Sequence, residues 1–374
     1  MNFDVKSMEG ILSNIERKVS HADFTSKMRE LSLPTSNSWN KTLDLLITLL
    51  NSKSITTIQK SSFIEAIKWI EQYLLSFSKA IFIYKLNKVT HGSAAVAERS
   101  FISNLKNTLV RDIHPSIFPG LLSKTDMGKY SGSPIIRKVR SNGPDLYVFS
   151  QVKEYTTQDE IPITKSDTNA VNKLKGYTKI FGVKTVSHEH VDSIYFDKKN
   201  NQIILRLDIT KPGTTILNTQ EILSRRKIYE DILNKTVSLS ISAFSLPDPS
   251  NFFNAIENIY SSPTEGSICE LGFTTTIGGA IKQERMKRMG VDLRTEPWHV
   301  GGMTAISKGP NPDTVDMYRL SVTWAIRHST DQPVLTIPGT YKSLEKEEIS
   351  YAIILGCKEN TSFDFALQRL LAHS

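Results

Sequence analysis

The period of the hydrophobic pattern changes along this chain, from helical spacing in the first 90 residues to strict alternation further on. In SMEGILSNIERKV, near the N-terminus, apolar residues recur three and four positions apart, as on one face of an α-helix. In DMYRLSVTWAIR, every second residue from Tyr318 to Ile326 is apolar, which is the period of a strand that buries one face. Other strand-like runs follow Pro134, mostly with short connections. The pattern predicts an α+β fold: an N-terminal helical module followed by a mixed α/β body with mostly antiparallel strands.

The length and the local composition suggest how the chain divides. A chain of 374 residues is long enough for two domains, or for one large domain with a helical addition. Small residues and a glycine in VTHGSAAVAERS mark a change of composition near His91. We therefore expect a helical N-terminal module over residues 1–90 and an α+β body over residues 91–374, with a further boundary near residue 185.

The longest helix candidate is the segment SSFIEAIKWIEQYLLSFSKAIFIYKL, which runs from Ser61 to Leu86. Its apolar stripe extends from Phe63 to Ile83 and is broad, which predicts packing on two sides. One interpretation is an N-terminal bundle docked on the main body. The other is a docking surface for a protein partner.

The net charge restricts the class of partner. The formal net charge is +8, which favours an anionic partner, above all nucleic acid, although many basic proteins bind no polyanion. The chain has two cysteines, Cys269 and Cys357, too few for a disulfide framework or a zinc quartet, so we expect buried thiols in a reducing compartment.

The N-terminal sequence and the hydropathy predict a location. The stretch MNFDVKSMEGILSNIERK does not resemble a signal peptide, because acidic residues interrupt it and no long apolar core follows. The most apolar segment, near residues 74–84, is shorter than the roughly 18 apolar residues that suggest a membrane span. We therefore expect a cytoplasmic protein without membrane contact.

A dense group of basic residues lies between two glycine pairs, in the segment GGAIKQERMKRMGVDLRTEPWHVGG at residues 278–302. A strand and small residues precede it, and we expect a helix to begin near Ala280, an arrangement suited to anions. At helical spacing Arg285 shares a face with both Lys282 and Arg288, so this face could contact the phosphates of a nucleic acid. The alternative is a solvated helix with internal ion pairs. The candidate phosphate-contacting residues are Lys282, Arg285, Lys287, Arg288 and Arg294.

The same segment ends in EPWHVGG, which places Trp298 and His299 between a proline and two glycines. This arrangement predicts a tight turn. Trp298 could stack on a nucleobase. It could instead cover part of the hydrophobic core, as tryptophan more often does.

A partial catalytic pattern lies in GPDLYVFSQVKEY, which contains Pro144 and Asp145 followed by Gln151 and Lys153. These residues resemble the core of the PD-(D/E)xK nucleases, in the variant with glutamine in place of the second acid. The resemblance extends upstream to Glu98, on a predicted helix, where that family often has an acid. It implies a magnesium-dependent nuclease in which Asp145 and Gln151 hold the ion and Lys153 stabilises the attacking water or the developing charge.

The spacing differs from that of the nuclease family, which usually places its acid and its (D/E/Q)xK sequence on neighbouring strands. Here a continuous strand-like run separates Asp145 from Gln151, and six residues of one strand span roughly 20 Å, too far for one magnesium ion. If Asp145 lies in a hairpin turn, the acid would have to be Asp126. The alternative interpretation is an ordinary hairpin strand with a polar edge.

The segment SHEHVD places His188, His190 and Asp192 on one face of an extended strand. Three such side chains could bind a metal ion. No distant histidine or cysteine motif completes a ligand set, so we favour a solvated loop or strand edge and assign no metal site.

These observations lead to one hypothesis and two alternatives. The leading hypothesis is a nucleic-acid-binding component of a multi-protein bacterial system, with anti-phage defence as one such setting, that contacts phosphate through residues 282–294. The first alternative is the nuclease, which alone would require a cofactor, Mg²⁺. The second is a non-catalytic interaction subunit whose protein partner docks on the N-terminal helical module. The sequence leaves open whether the protein is an enzyme, and whether it binds DNA or RNA.

Overall fold

The structure of the chain, a computed structural model, describes residues 4–88, 92–108, 118–130, 132–139, 146–161, 179–212, 216–242, 244–277, 279–288, 290–310, 312–327 and 329–374. Within these ranges the chain forms eleven α-helices, ten strands and two short 3-10 helices, Ile15–Arg17 and Leu293–Thr295. The α-helices are α1 (Val5–Leu12), α2 (His21–Glu30), α3 (Trp39–Leu50), α4 (Thr57–Ser76), α5 (Ala94–Thr108), α6 (Lys124–Lys129), α7 (Thr219–Ser238), α8 (Phe253–Tyr260), α9 (Pro297–Lys308), α10 (Tyr341–Lys346) and α11 (Asn360–His373). The strands are β1 (Lys79–Lys85), β2 (Ile135–Val139), β3 (Leu146–Glu160), β4 (Phe181–Asp197), β5 (Gln202–Asp208), β6 (Ser267–Thr275), β7 (Ile281–Arg285), β8 (Val315–Thr323), β9 (Val334–Ile337) and β10 (Ala352–Leu355).

All ten strands join one antiparallel sheet in the order β2-β3-β4-β5-β1-β10-β9-β8-β6-β7. The first five strands of the chain form one half of the sheet and the last five form the other half. Strands β1 and β10 connect the halves, with Ile81 opposite Ala352. The α+β prediction is therefore confirmed: helices dominate the N-terminal region, and the body combines antiparallel strands with further helices.

Helices cover both faces of the first half of the sheet. On one face, α5 and α7 pack against alternate residues of β1, including Phe82 and Tyr84. On the opposite face, α1 to α4 pack against β3 and β4 through Val148 and Val191. Helices α8 and α11 extend this second layer over the other half of the sheet. The N-terminal helices thus share a hydrophobic core with the sheet.

The prediction of one helix from Ser61 to Leu86 is wrong at its C-terminal end. Helix α4 ends at Ser76, the chain reverses through Ser78 with a positive φ of 55°, and residues 79–85 form β1. Six of the seven residues of β1 are buried, because the strand lies in the middle of a sheet that is covered on both faces. A strand buried on both faces is a continuous apolar run, which periodicity does not distinguish from a buried helix.

The broad apolar stripe of α4 faces the interior of this chain. Phe63, Ile67, Ile70 and Leu74 are all buried in the core that α1 to α4 share with the sheet. The feature that suggested a docking surface therefore has an internal explanation. A protein partner at the N-terminal module stays a prediction.

The predicted boundary near residue 90 falls outside the described residues, whereas the one near residue 185 falls within them. Strand β1, which belongs to residues 1–90, is the fifth strand of the common sheet, and residue 185 lies inside β4. The division into modules near residues 90 and 185 stays a prediction. Among the described helices, none combines the length and the apolar character that crossing a membrane requires.

The shared core predicts how substitutions in α4 affect stability. Ile70 is fully buried, so Ile70→Ala should lower the free energy of unfolding by about 2–5 kcal/mol, through lost apolar contact and the cavity left behind. Ile58 on the same helix is 79% exposed, and Ile58→Ala should change the free energy of unfolding by about 0.5 kcal/mol or less. Urea denaturation of both variants measures the difference; equal effects would contradict this packing.

Candidate functional site

The basic segment forms a free edge of the sheet. Strand β7 pairs with β6, and no described strand pairs with its other side. The prediction of a helix beginning near Ala280 is therefore wrong. The sequence IKQER has no apolar stripe that would decide between helix and strand, and the backbone hydrogen bonds offered by β6 decide for the strand. Charged side chains are typical of such an edge, because they discourage pairing with other chains.

The strand distributes the basic side chains over two faces of the sheet. Lys282 and Glu284 lie on the face toward α9. Arg285 projects from the opposite face, because successive residues of a strand alternate. The prediction that Lys282 and Arg285 share a face is therefore wrong. Lys287 and Arg288 follow in a bend after the strand.

Four cations of this segment are exposed and have no acidic partner. We call them the basic edge: Lys282, Arg285, Lys287 and Arg288. In the part of the chain that the structure describes, their side chains form no hydrogen bond or ion pair. Because no neighbouring carboxylate neutralises them, their charge is available to an external anion.

Arg294, which the sequence analysis grouped with these cations, has a different environment. Its guanidinium binds the Asp292 carboxylate, with 3.0 Å between Nε and Oδ1. The remaining N–H groups donate to backbone carbonyls of the chain before β6, among them those of Ser262 and Gly266. All five donors of the guanidinium have acceptors within the chain, so Arg294 holds this loop in place.

Trp298 lies in the first turn of α9, so the predicted tight turn at EPWHVGG is wrong. Pro297 occupies the first helical position, where its missing N–H costs nothing, and the Glu296 carboxylate accepts a hydrogen bond of 2.8 Å from the His299 N–H. The Trp298 side chain is 81% exposed. It therefore does not cover the core.

A cavity of about 350 Å³ lies between β7 and α9. We call it the Trp298 cavity. Its apolar lining comes from Phe273, Met303 and Ile306 together with Trp298. Lys282 of the basic edge also lines it, so the cavity and the basic edge are continuous.

His299 fixes α9 against the sheet. Its ring is buried, with Nδ1 bonded to the Glu284 carboxylate and Nε2 2.8 Å from the Tyr260 hydroxyl. Because Trp298 precedes this buried histidine on the helix, its side chain is held on the outer side. A second contact fixes β7: the Tyr318 hydroxyl donates to the backbone carbonyl of Lys282 at 3.1 Å.

A network of buried polar side chains lies where β4 and β5 separate. The two strands pair as far as Ser193 and Arg206. Beyond this point the Asp192 carboxylate accepts a hydrogen bond of 2.8 Å from the backbone N–H of Asp208. The Asp208 carboxylate in turn accepts a hydrogen bond of 3.1 Å from the backbone N–H of Val191. The two carboxylates thus replace the backbone acceptors of the strand ladder.

Buried cations balance these carboxylates. Arg225 of α7 pairs with Asp192, and its Nε donates to Gln151 at 3.0 Å. Lys18 pairs with Asp208 at 2.7 Å. Burial alone would raise the pKa of Asp208, but the ammonium groups of Lys18 and Lys79 outweigh it and hold that pKa well below its ordinary value. Burial lowers the pKa of Lys79 to about 8.

Two histidines complete the network as neutral groups. Lys18 Nζ lies 2.8 Å from His188 Nε2 and donates to it, so the proton of neutral His188 is on Nδ1. Burial, assisted by the charge of Lys18, lowers the pKa of His188 to about 3. His190 Nδ1 donates to the backbone carbonyl of Asp208 at 3.1 Å, and Nε2 accepts from the Tyr155 hydroxyl at 2.8 Å. Burial also places the pKa of His190 well below its ordinary value.

The alternation in SHEHVD predicts His188, His190 and Asp192 on a common face, and the incomplete ligand set favours a solvated loop or strand edge. That interpretation is wrong, because all three side chains are buried in β4. A signal was present elsewhere: Lys79 and Asp208 interrupt apolar runs, and a charge inside a buried strand requires a partner. Among the described residues, no group of three or more His, Cys, Asp or Glu side chains is arranged to hold a metal ion.

The described residues of the nuclease pattern each contact a different partner. Gln151 accepts from Arg225 in the buried network, and Lys153 Nζ lies 3.9 Å from the Glu221 carboxylate. Glu98 pairs with Lys198 at 2.7 Å. Asp145 lies outside the described residues. Asp126, the alternative acid, is in the first turn of α6, where it binds the Ser123 hydroxyl at 2.7 Å.

Comparison of the chain with protein-family models, with curated proteins and with solved structures found no match. The site is therefore interpreted from its own geometry and charge.

The buried network predicts a large effect of removing one partner. Arg225→Ala leaves the Asp192 carboxylate buried without its cation and should lower the free energy of unfolding by about 3–5 kcal/mol. The matched control is Lys227→Ala, at an exposed position of the same helix, with an expected change of about 0.5 kcal/mol or less. Urea denaturation measures both, and equal stability of the two variants would contradict the role of the network.

The lowered histidine pKa values predict destabilisation by acid. An unfolded histidine binds its proton near pH 6.5, whereas folded His188 binds it only near pH 3. Between these values the unfolded state binds more protons, so the free energy of unfolding falls as the pH decreases from about 6.5 to 3. His190 acts in the same direction. Denaturation curves over this range measure the slope, which His188→Gln should reduce; an unchanged slope would contradict the assignment.

Proposed function

We propose that this protein binds nucleic acid and contacts its phosphates through the basic edge. The observation that carries the proposal is that four exposed cations without acidic partners follow one another along a free strand edge and the bend after it. A nucleic-acid backbone is a regular row of negative charges, so it can neutralise such a row of cations at several points together.

The rest of the molecule supports this choice of partner. The formal net charge of +8 attracts polyanions at long range. Three other cations, by contrast, have internal partners: Lys18 and Arg225 pair with aspartates, and the donors of Arg294 are all used within the chain. Arg294 is therefore not part of the proposed contact, which is confined to the basic edge, with Trp298 beside it.

Removing the basic edge tests the proposal. The quadruple alanine variant of Lys282, Arg285, Lys287 and Arg288 should bind labelled DNA or RNA more weakly than the wild type. Its plot of log K against log salt should be shallower by about 3, since each phosphate contact contributes about 0.7–0.9 to the slope. Fluorescence anisotropy at several salt concentrations measures both quantities.

A matched control separates this surface from net charge alone. The control replaces four other exposed lysines by alanine, which removes the same total charge at other places on the surface. These are Lys41, Lys53, Lys124 and Lys342. This control should keep most of the wild-type affinity and salt slope. If both variants lose affinity equally, the interaction is non-specific attraction and the site assignment is wrong; if neither does, the basic edge is not the contact surface.

Magnesium-dependent cleavage, the bacterial multi-protein setting, the role in defence and the cytoplasmic location stay predictions from the sequence.

A further inference from the structure

The exposure of Trp298 requires an explanation. Its side chain is 81% exposed, whereas Trp69 and Trp324 are buried. A large apolar ring in water beside an apolar cavity gains free energy when a flat apolar ligand covers both. The indole is therefore suited to receive a ligand.

The helix leaves the indole uncovered. The residues three and four positions after Trp298 are Gly301 and Gly302. Any larger residue at these positions would have a side chain that leans toward Trp298 on the same face of α9. A Cβ added at either glycine would meet nothing within 4 Å. Glycine in a helix is unfavourable relative to alanine, yet two occur here in succession. Their effect is an open, flat platform beside the Trp298 cavity.

The backbone that carries the indole is held in place. His299 is fixed between Glu284 and Tyr260, and Glu296 caps the first turn of α9. Because this backbone is already ordered, binding a ligand restricts only the side-chain freedom of the indole.

The charge around the platform identifies the class of ligand. Lys282 lines the Trp298 cavity and also belongs to the basic edge, so a flat group in the cavity would have its attached anion beside a cation. At about 350 Å³ the cavity is at the small end of ligand pockets and is large enough for one ring system. A nucleobase carried on a phosphate backbone meets both conditions.

We infer that the protein prefers single-stranded nucleic acid, and that one unpaired base stacks on Trp298 while the adjoining phosphates contact the basic edge. This inference rests on the proposed function and specifies its ligand. In a duplex, the faces of the bases are covered by their stacked neighbours, so only a single strand or an extruded base can offer a face to the indole.

The test compares Trp298→Ala with the wild type on a labelled single strand and on the duplex of the same sequence, in DNA and in RNA. Wild-type protein should bind the single strand more tightly than the duplex. Because one base stacked on an aromatic side chain contributes about 5- to 150-fold in affinity, Trp298→Ala should weaken single-strand binding by a factor in that range and leave duplex binding unchanged. Trp298→Phe, which keeps an aromatic ring, should retain most of the wild-type affinity for the single strand.

Two controls make the result specific. Ile277→Ala removes another apolar side chain, 80% exposed, that does not line the Trp298 cavity, and it should not change single-strand affinity. Circular dichroism and thermal unfolding should show each variant folded, as expected for exposed positions.

The outcomes separate this inference from the proposed function. If the quadruple variant of the basic edge loses binding but Trp298→Ala affects neither ligand, or both equally, the base site is wrong and the phosphate site stands. If the wild type prefers the duplex, the inference is overturned while nucleic-acid binding is retained. If the wild type binds no nucleic acid, both proposals fail.

Discussion

Buried charge at the point where β4 and β5 separate connects three parts of the chain that are distant in sequence. Lys18 comes from the N-terminal helical region, Asp192 and Asp208 from the sheet, and Arg225 from α7. Burying such ions is costly unless every donor and acceptor is satisfied, and here the carboxylates also take over backbone hydrogen bonds. The position of the helices on both faces of the sheet therefore depends on this network.

The charged side chains at the β7 edge of the sheet have a different environment from those of the buried network. At the buried network, Lys18 and Arg225 pair with aspartates, and the neutral histidines accept hydrogen bonds from Lys18 and Tyr155. At the β7 edge, four cations stand in solvent without partners, next to an exposed indole and a cavity. Internal pairing is explained by the stability of the fold, whereas the unpaired cations beside an uncovered aromatic ring are the features from which we propose an external ligand. The candidate site for binding is for this reason placed at the edge.

The period of the apolar residues predicts the correct structure where neighbouring segments do not override it. The alternating run that begins at Tyr318 is a strand as far as Thr323, in β8, because its apolar residues repeat with the period of a strand. The sequence pattern predicts the wrong conformation at two segments. At Ile281–Arg285 the pairing with β6 decides the conformation, and at Lys79–Lys85 burial on two faces decides it. Among the candidate site residues, the exposed cations and Trp298 could be selected from the sequence, but the partners of Arg294 and Gln151 could not, since they come from distant segments.

The sequence by itself determined the α+β class, the excess of positive charge and the concentration of basic residues near one tryptophan, because composition and periodicity are local properties of the chain. Only the tertiary structure decided which of these charges are available. It placed Lys18 and Arg225 in the interior with carboxylates, used every donor of Arg294, and left Lys282 and its neighbours exposed on a free edge. The physical reason is that a charge is neutralised by whatever lies within a few ångströms, and those neighbours are set by the pairing of strands and the packing of helices.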